Sequence, residues 1–273
     1  MSDAEDGYLS PPVQRAARLL RHVAGGDAVT NMARTARELG INRTTLLRLL
    51  RTLEAEGFIE PRGADQPGWR VGVGLFGLVA GAFASEDLAG AAAPILSDLA
   101  EELSLSVHLG VLDGREVVYL LRRTPDTAYV SNIRVGSRLP AHAANMGRII
   151  LAHLPPERVA RLFAGAGMPR ATAHTAVTPA QLRARLDADL AEGLAWSDGF
   201  FERDISSVAA AVFDATGTPV AAVNASGGAA AFADPERRAR IGAARAAAAE
   251  GISRRLGWTG RPRRRGPELK VVA

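Results

Sequence analysis

No cysteine occurs anywhere in the chain. Disulfides, thiolate metal sites and cysteine nucleophiles are therefore excluded, and a reducing cytoplasm is the expected location. Aromatic residues are also scarce, at 5% against 47% hydrophobic residues and 28 glycines, so the core must be built from closely approaching small side chains. Lysine is almost missing: Lys270 is the only one among 33 basic residues, and nearly all positive charge is guanidinium. The most apolar stretches are broken by charge or glycine before they reach membrane-spanning length, so no membrane partner is expected. The acidic N-terminus MSDAEDGYLSPP lacks the positive region and apolar run of a signal peptide. The five histidines, His22, His108, His142, His153 and His174, show no metal-ligand spacing. A G-x-S-x-G nucleophile elbow is likewise absent. No catalytic residue, metal or cofactor is expected.

A chain of 273 residues is most naturally two domains. Its charge is unevenly spread: residues 13–71 hold ten Arg against six Asp or Glu, and residues 251–273 hold six Arg and one Lys against one Glu. The middle is close to neutral. This pattern suits a nucleic-acid-binding module joined to a part that binds something else.

The stretch Asn31 to Ile59 divides into a short helix to about Leu39, a Gly40-Ile41-Asn42 corner and a second helix from about Arg43 to Glu56. Gly40 supplies the positive φ of a helix-ending turn, and Asn42 is placed to cap the next helix. In that helix Leu46, Leu49, Leu50 and Leu53 recur at i, i+3, i+4 and i+7 and form a buried stripe. Thr44, Leu47, Arg48 and Arg51 share another face, free of carboxylates before Glu54 and suited to the major groove of duplex DNA. Arg43, Thr44 and Thr45 lie in the first turn, where the helix dipole favours a phosphate oxygen. The alternative is an ordinary amphipathic helical hairpin with solvated arginines. Beyond Gly57, however, two short strands around a Gly/Pro loop read as a β-hairpin wing, which would bring Arg62 and Arg70 near the DNA backbone.

Residues from Val13 to about Leu78 resemble the IclR family of bacterial transcription regulators. The resemblance rests on Gly40-Ile41-Asn42-Arg43-Thr44-Thr45-Leu46-Leu47-Arg48-Leu49-Leu50 with Leu53 and Gly57 following, and on Trp69-Arg70-Val71-Gly72 closing the wing. It implies an α+β chain: a winged helix-turn-helix domain over 13–71, a linker helix over 72–86 and a GAF-like effector domain over 87–257. An acidic disordered segment, 1–12, and a basic flexible tail, 258–273, flank them. The implied partners are a double-stranded DNA operator, a small-molecule effector, and further copies of the chain as a homodimer or dimer of dimers.

The first domain should start with a helix over Val13–Ala24 that buries Ala16, Leu19, Leu20 and Val23, and Thr30 should cap the next. Gly72-Val73-Gly74-Leu75-Phe76-Gly77 matches the G-x-G-x-x-G of a dinucleotide site, but the second parallel strand which that site requires does not follow. Leu75, Leu78, Val79 and Phe83 instead read as a helix face that packs on a partner chain. The second domain reads as strands grouped at both ends with helices between them: Leu105–Val111, Glu116–Arg122 and Tyr129–Val135, then Ala195–Phe201, Val208–Asp214 and Pro219–Ser226.

The informative anomaly is polar residues in strands that otherwise read as buried. Period 2 puts Asn224 and Ser226 on one face, where they must bond each other and the backbone or converge on a ligand. The resemblance implies the second. It assigns effector binding to backbone N–H groups at Asn145 and Met146 and to the side chains of Ser197, Ser207, Asn224 and Ser226, with Ala128, Ser131, Leu139 and Ile205 as walls. A small or aromatic carboxylic acid is the expected ligand, and His142 is the only histidine expected near it. Two rival readings remain: an enzyme or sensor that uses this pocket beside a vestigial winged helix, and a constitutive DNA-binding protein with no effector.

Overall fold

The structure, a computed structural model, describes residues 9–63, 66–78, 87–125, 133–199 and 204–260. It divides into two compact units, Met1–Glu86 and Asp87–Ala273.

In the first unit α1 (Pro11–Ala24), α2 (Met32–Glu38) and α3 (Arg43–Ala55) precede a two-stranded antiparallel hairpin of β1 (Ile59–Pro61) and β2 (Trp69–Val71). Helix α1 begins at Pro11 rather than Val13, because proline is tolerated in the first turn, where no intrahelical N–H bond is made. Asn31, not Thr30, caps α2, its side chain accepting from the N–H of Arg34 at 3.0 Å. The core joins Leu19, Val23, Val29, Ala36, Leu46, Leu50, Leu53 and Ile59, with Ala16, Leu20 and Leu49 partly buried against it.

The glycines after the wing have a steric explanation. A Cβ at Gly72 or Gly74 would lie 2.4 or 2.7 Å from the carbonyl oxygen of Gly57, while their N–H groups bond Phe58 and Gly57. The G-x-G spacing closes the winged domain on its own backbone. Residues 73–78 are helical, with Val73, Phe76 and Leu78 exposed and Leu75 half-buried. Val79 and Phe83 lie outside the described residues.

The second unit is a six-stranded antiparallel sheet in the order β5-β4-β3-β8-β7-β6: β3 (Ser106–Asp113), β4 (Glu116–Arg123), β5 (Arg138–Pro140), β6 (Ala195–Asp198), β7 (Ile205–Phe213) and β8 (Pro219–Gly228). One face packs on α4 (Asp87–Leu103) and α8 (Pro235–Arg255) through Leu96, Leu99, Val107, Leu109, Val208, Val212, Val223 and Ile252. The other carries α5 (Asn145–His153), followed by α6 (Pro156–Phe163) and α7 (Pro179–Glu192). Small residues let α5 approach: Gly110, Ala209, Ala211 and Ala222 lie beneath it, and a Cβ at Gly110 would meet the Met146 methyl at 3.0 Å.

Of the stretch read as a third strand, Tyr129–Val135, residues 133–135 are not strand, and the rest lies outside the described residues. Among the described residues, the strand beside β4 at this edge is β5. The Arg138 guanidinium is held there by Asp113 and by Glu116 at 2.7 Å, and Pro140 is acceptable because β5 is an edge strand. Strand β6 ends at Asp198, and Phe200 and Phe201 lie outside the described residues.

Candidate functional site

Two sets of residues bear on function, one in each unit. In the first, the Asn42 side chain accepts from the Thr45 N–H at 2.7 Å and fixes the start of α3, with Gly40 in the left-handed region at φ 66°. Leu46, Leu50 and Leu53 point into the core, which leaves Arg43, Thr44, Leu47, Arg48 and Arg51 exposed. Leu47 is half exposed, at 50%, although it is the kind of side chain usually buried. Arg51 pairs with Glu54 at 3.0 Å and Arg70 with Glu60 at 2.7 Å across the wing. Both guanidiniums are exposed, so these pairs are weak and exchangeable for phosphate. Arg62 is exposed beside the loop that its N–H closes onto Gly68. Gly68, at φ 109°, has no room for a Cβ, which would lie 2.2 Å from the Ala28 carbonyl oxygen. The wing is thereby fastened to the loop between α1 and α2 by the Trp69 N–H, which donates to that same oxygen at 2.8 Å.

In the second unit, strand register assembles a polar row. Ser197 pairs with Ser207, Ser207 with Ser226 and Ser226 with Ser106, so four serines from β6, β7, β8 and β3 share one face. The next row on that face is Ala195, Ala209, Asn224, His108 and Arg122. Over these rows lies a cavity of about 40 Å³, lined by Leu139, Asn145, Ser197, Ile205, Ser207, Asn224 and Ser226, together with Tyr119, Ile133 and Ala144. Met146 does not line it with its side chain, which is buried against Gly110; only its backbone, in the first turn of α5, is available. Ala128 and Ser131 lie outside the described residues.

The N-cap of α5 is Ala144, whose side chain makes no cap bond, so the first N–H groups of the helix keep donor capacity at the cavity. The orientation of α5 is fixed from behind. Arg148, fully buried, bonds Asp189 of α7 at 2.8 and 3.2 Å and also the Trp196 carbonyl. Burial pushes the Asp189 carboxyl up, and the bond from Arg148 opposes that shift. Inside the cavity the Asn145 amide donates to the Ser207 hydroxyl at 2.9 Å, leaving that hydroxyl its own proton to give. Ser226 donates to the Ser106 carbonyl at 3.4 Å. Among the described residues no carboxylate lines the cavity. The lining is rich in donors and carries no negative charge, which favours a ligand that brings acceptors.

His142 is not the histidine nearest this cavity. It faces away, 3.1 Å from the Pro169 carbonyl and edge-on to Phe163. His108 is nearer: its Nδ1 stands 2.9 Å from Asn224 Oδ1, and its ring meets Tyr119 edge to face at 5.4 Å. Burial lowers its pKa to about 4, an effect which the Asn224 bond opposes and nearby Arg122 reinforces. No local sequence signal marks His108 or Tyr119, because His108 reaches the site through pairing with the distant β8 and Tyr119 through the register shift between β3 and β4.

A second hollow, of about 200 Å³, lies among α5, α6 and α7. Leu151, Leu154, Val159, Phe163, Leu182 and Leu186 make it apolar, and its rim carries the Arg183–Asp187 pair at 3.2 Å. It offers no convergent donors.

Comparison with known proteins places both units. Residues 12–63 match the IclR helix-turn-helix domain, and residues 80–254 match the bacterial transcriptional regulator IclR C-terminal model. The glycerol operon regulatory protein of Streptomyces coelicolor is 31% identical over 248 residues, covering 90% of this chain and 96% of that one. The transcriptional repressor IclR of Escherichia coli is 27% identical over 215 residues, 78% of each chain. Among solved structures, an IclR homologue from Microbacterium hydrocarbonoxydans complexed with 4-hydroxybenzoate superposes with a TM-score of 0.78 at 25% identity, over 90% of this chain and 98% of that one. A regulator from Silicibacter sp. TM1040 gives a TM-score of 0.80 at 25% identity, over 94% and 100%.

Proposed function

Because the chain belongs to the IclR family of transcriptional regulators, with a helix-turn-helix DNA-binding domain and a C-terminal effector domain, we propose that it binds an operator through α3 and the wing and is controlled by a small carboxylic acid in the serine-lined cavity. The observation that carries the acid is the donor-rich lining, which among the described residues has no carboxylate. A carboxylate can accept there from the start of α5, the Ser207 hydroxyl and the Asn224 amide without a buried countercharge. At about 40 Å³ the cavity has room for roughly three water molecules. A short aliphatic acid fits with little adjustment, whereas an aromatic acid such as the 4-hydroxybenzoate held by the Microbacterium relative requires the walls to part.

On the DNA side Thr44, Leu47, Arg48 and Arg51 enter the major groove, Asn42, Arg43 and Thr45 meet phosphates at the start of α3, and Arg62 and Arg70 lie on the backbone from the wing. A homodimer, or a dimer of dimers, acting in the cytoplasm places two such helices about one helical turn apart on a pseudo-palindromic operator. Ligand binding biases their disposition through residues 72–86 by differential affinity for two states.

A thermal-shift screen against short aliphatic and aromatic acids tests this reading. An acid at a hundred times its Kd stabilises by about 2.7 kcal/mol, and Asn224→Val or Ser226→Ala removes the shift while leaving DNA binding intact. If acids stabilise the protein equally in both variants, the ligand sits elsewhere. If none stabilises it and both variants keep every DNA-binding property, a constitutive DNA-binding protein is the better account.

A further inference from the structure

His108 is buried, belongs to none of the roles above, and touches two residues that line the cavity: Asn224 through Nδ1, and Tyr119 through its ring. Its bond to Asn224 is chemically one-sided. An amide oxygen only accepts, so with Oδ1 at 2.9 Å the proton must sit on Nδ1. The neutral ring then has a bare Nε2, and that atom is buried without a hydrogen-bond partner among the described residues. A second proton could go only there, away from any acceptor and within the field of Arg122, the charged group that faces the ring from β4. Burial and Arg122 accordingly keep the ring neutral, with a pKa of about 4. The arrangement holds one tautomer, and that tautomer dictates which end of the Asn224 amide is tied down.

We propose that His108 is a positioning residue of the effector site: its Nδ1–H holds the carbonyl oxygen of Asn224, so that the amide's N–H donors are turned to the bound acid. The proposal rests on the effector reading above and adds the source of the site's preference for acceptors. A free asparagine side chain offers a ligand either a carbonyl or an amino group; a pinned one offers donors alone. The serines of the adjacent row can rotate to give or to take a proton. The His108–Asn224 pair is thus a side-chain part of the wall that, like the N–H groups at the start of α5, is set as a donor before the ligand arrives.

Two measurements on the full-length protein test this. The ¹⁵N shifts of His108 should show a neutral ring protonated at Nδ1 from pH 7 down to 5, with or without ligand; protonation at Nε2 instead would overturn the proposal. Binding is then read calorimetrically with 4-hydroxybenzoate and a series from acetate to butyrate. His108→Phe keeps the ring against Tyr119 and deletes the donor, and is expected to bind the acids about tenfold more weakly, the loss of one well-made hydrogen bond. His108→Gln, which restores an N–H, is expected to recover part of that loss. Equal affinity in wild type and His108→Phe would refute the role while leaving the acid-binding reading intact. No binding of any acid to the wild type would remove that reading, and this role with it. Should His108→Phe fail to fold, the tautomer measurement on the wild type still decides.

Discussion

At the scale of single residues, Arg245 departs furthest from ordinary burial. It sits on α8 at 0% exposure, its three guanidinium nitrogens have no hydrogen-bond partner among the described residues, and burial pushes its pKa down to about 9. A buried charge without a partner costs several kcal/mol, and apolar replacement even of buried ion pairs is often neutral or stabilising by about 1–4 kcal/mol. Arg245→Met is therefore expected to raise the melting temperature of the second unit by several degrees in scanning calorimetry. A lower melting temperature would show that the guanidinium has a partner in the assembled protein. The contrast with Arg148, equally buried but held by Asp189, shows that burial alone does not tell a structural arginine from an orphan. Neither was legible in the sequence, because a helical arginine read from spacing alone counts as solvated, whether among the alanines around Arg245 or in the NMGRIILAH stretch of Arg148. Asn224 and Ser226 were legible, since their period-2 spacing stands out inside β8. His108 was not: it is 116 residues from Asn224, and SVHLGV contains nothing that points to a partner on β8.

At the scale of elements, the sequence was most readable where local chemistry decides the outcome. Helix α3 was placed by its leucine spacing and by Asn42, which caps it as expected. Asn42→Ala should lower the stability of the first unit by about 1 kcal/mol in denaturant melts, the usual loss for such a cap; an unchanged midpoint would mean that α3 is held by packing alone. Reading failed where tertiary pairing decides. Strand β5 contains Pro140 and follows Gly136, so it reads as loop, and it exists only because β4 offers an open edge. The shift in register between Leu109 and Gly110 brings Tyr119 opposite Gly110, a placement that alternation counted along β4 alone does not give. The start of α1 was misread for a simpler reason. Pro11-Pro12 is a boundary signal, but it marks the inside of a helix start as readily as the end of a disordered segment.

At the scale of the molecule, the two units keep separate cores and opposite chemistry, one exposing guanidiniums and one enclosing hydroxyls. The first should respond to salt and the second hardly at all. Arg48→Ala is expected to weaken operator binding and to reduce the slope of log affinity against log salt by about 1 if its contact is to phosphate. An unchanged slope with relaxed sequence preference would place it on a base instead. The serine row of the second unit has a kinetic meaning as well. Ser106 and Ser226 are 120 residues apart and meet only when β3 closes against β8. Contacts of such long range are slow to form, so the cavity belongs to the finished sheet and not to its precursors. A ligand that needs this row cannot assist the chain while it folds; it acts as a brake on opening, lengthening the life of the folded domain without hastening its birth.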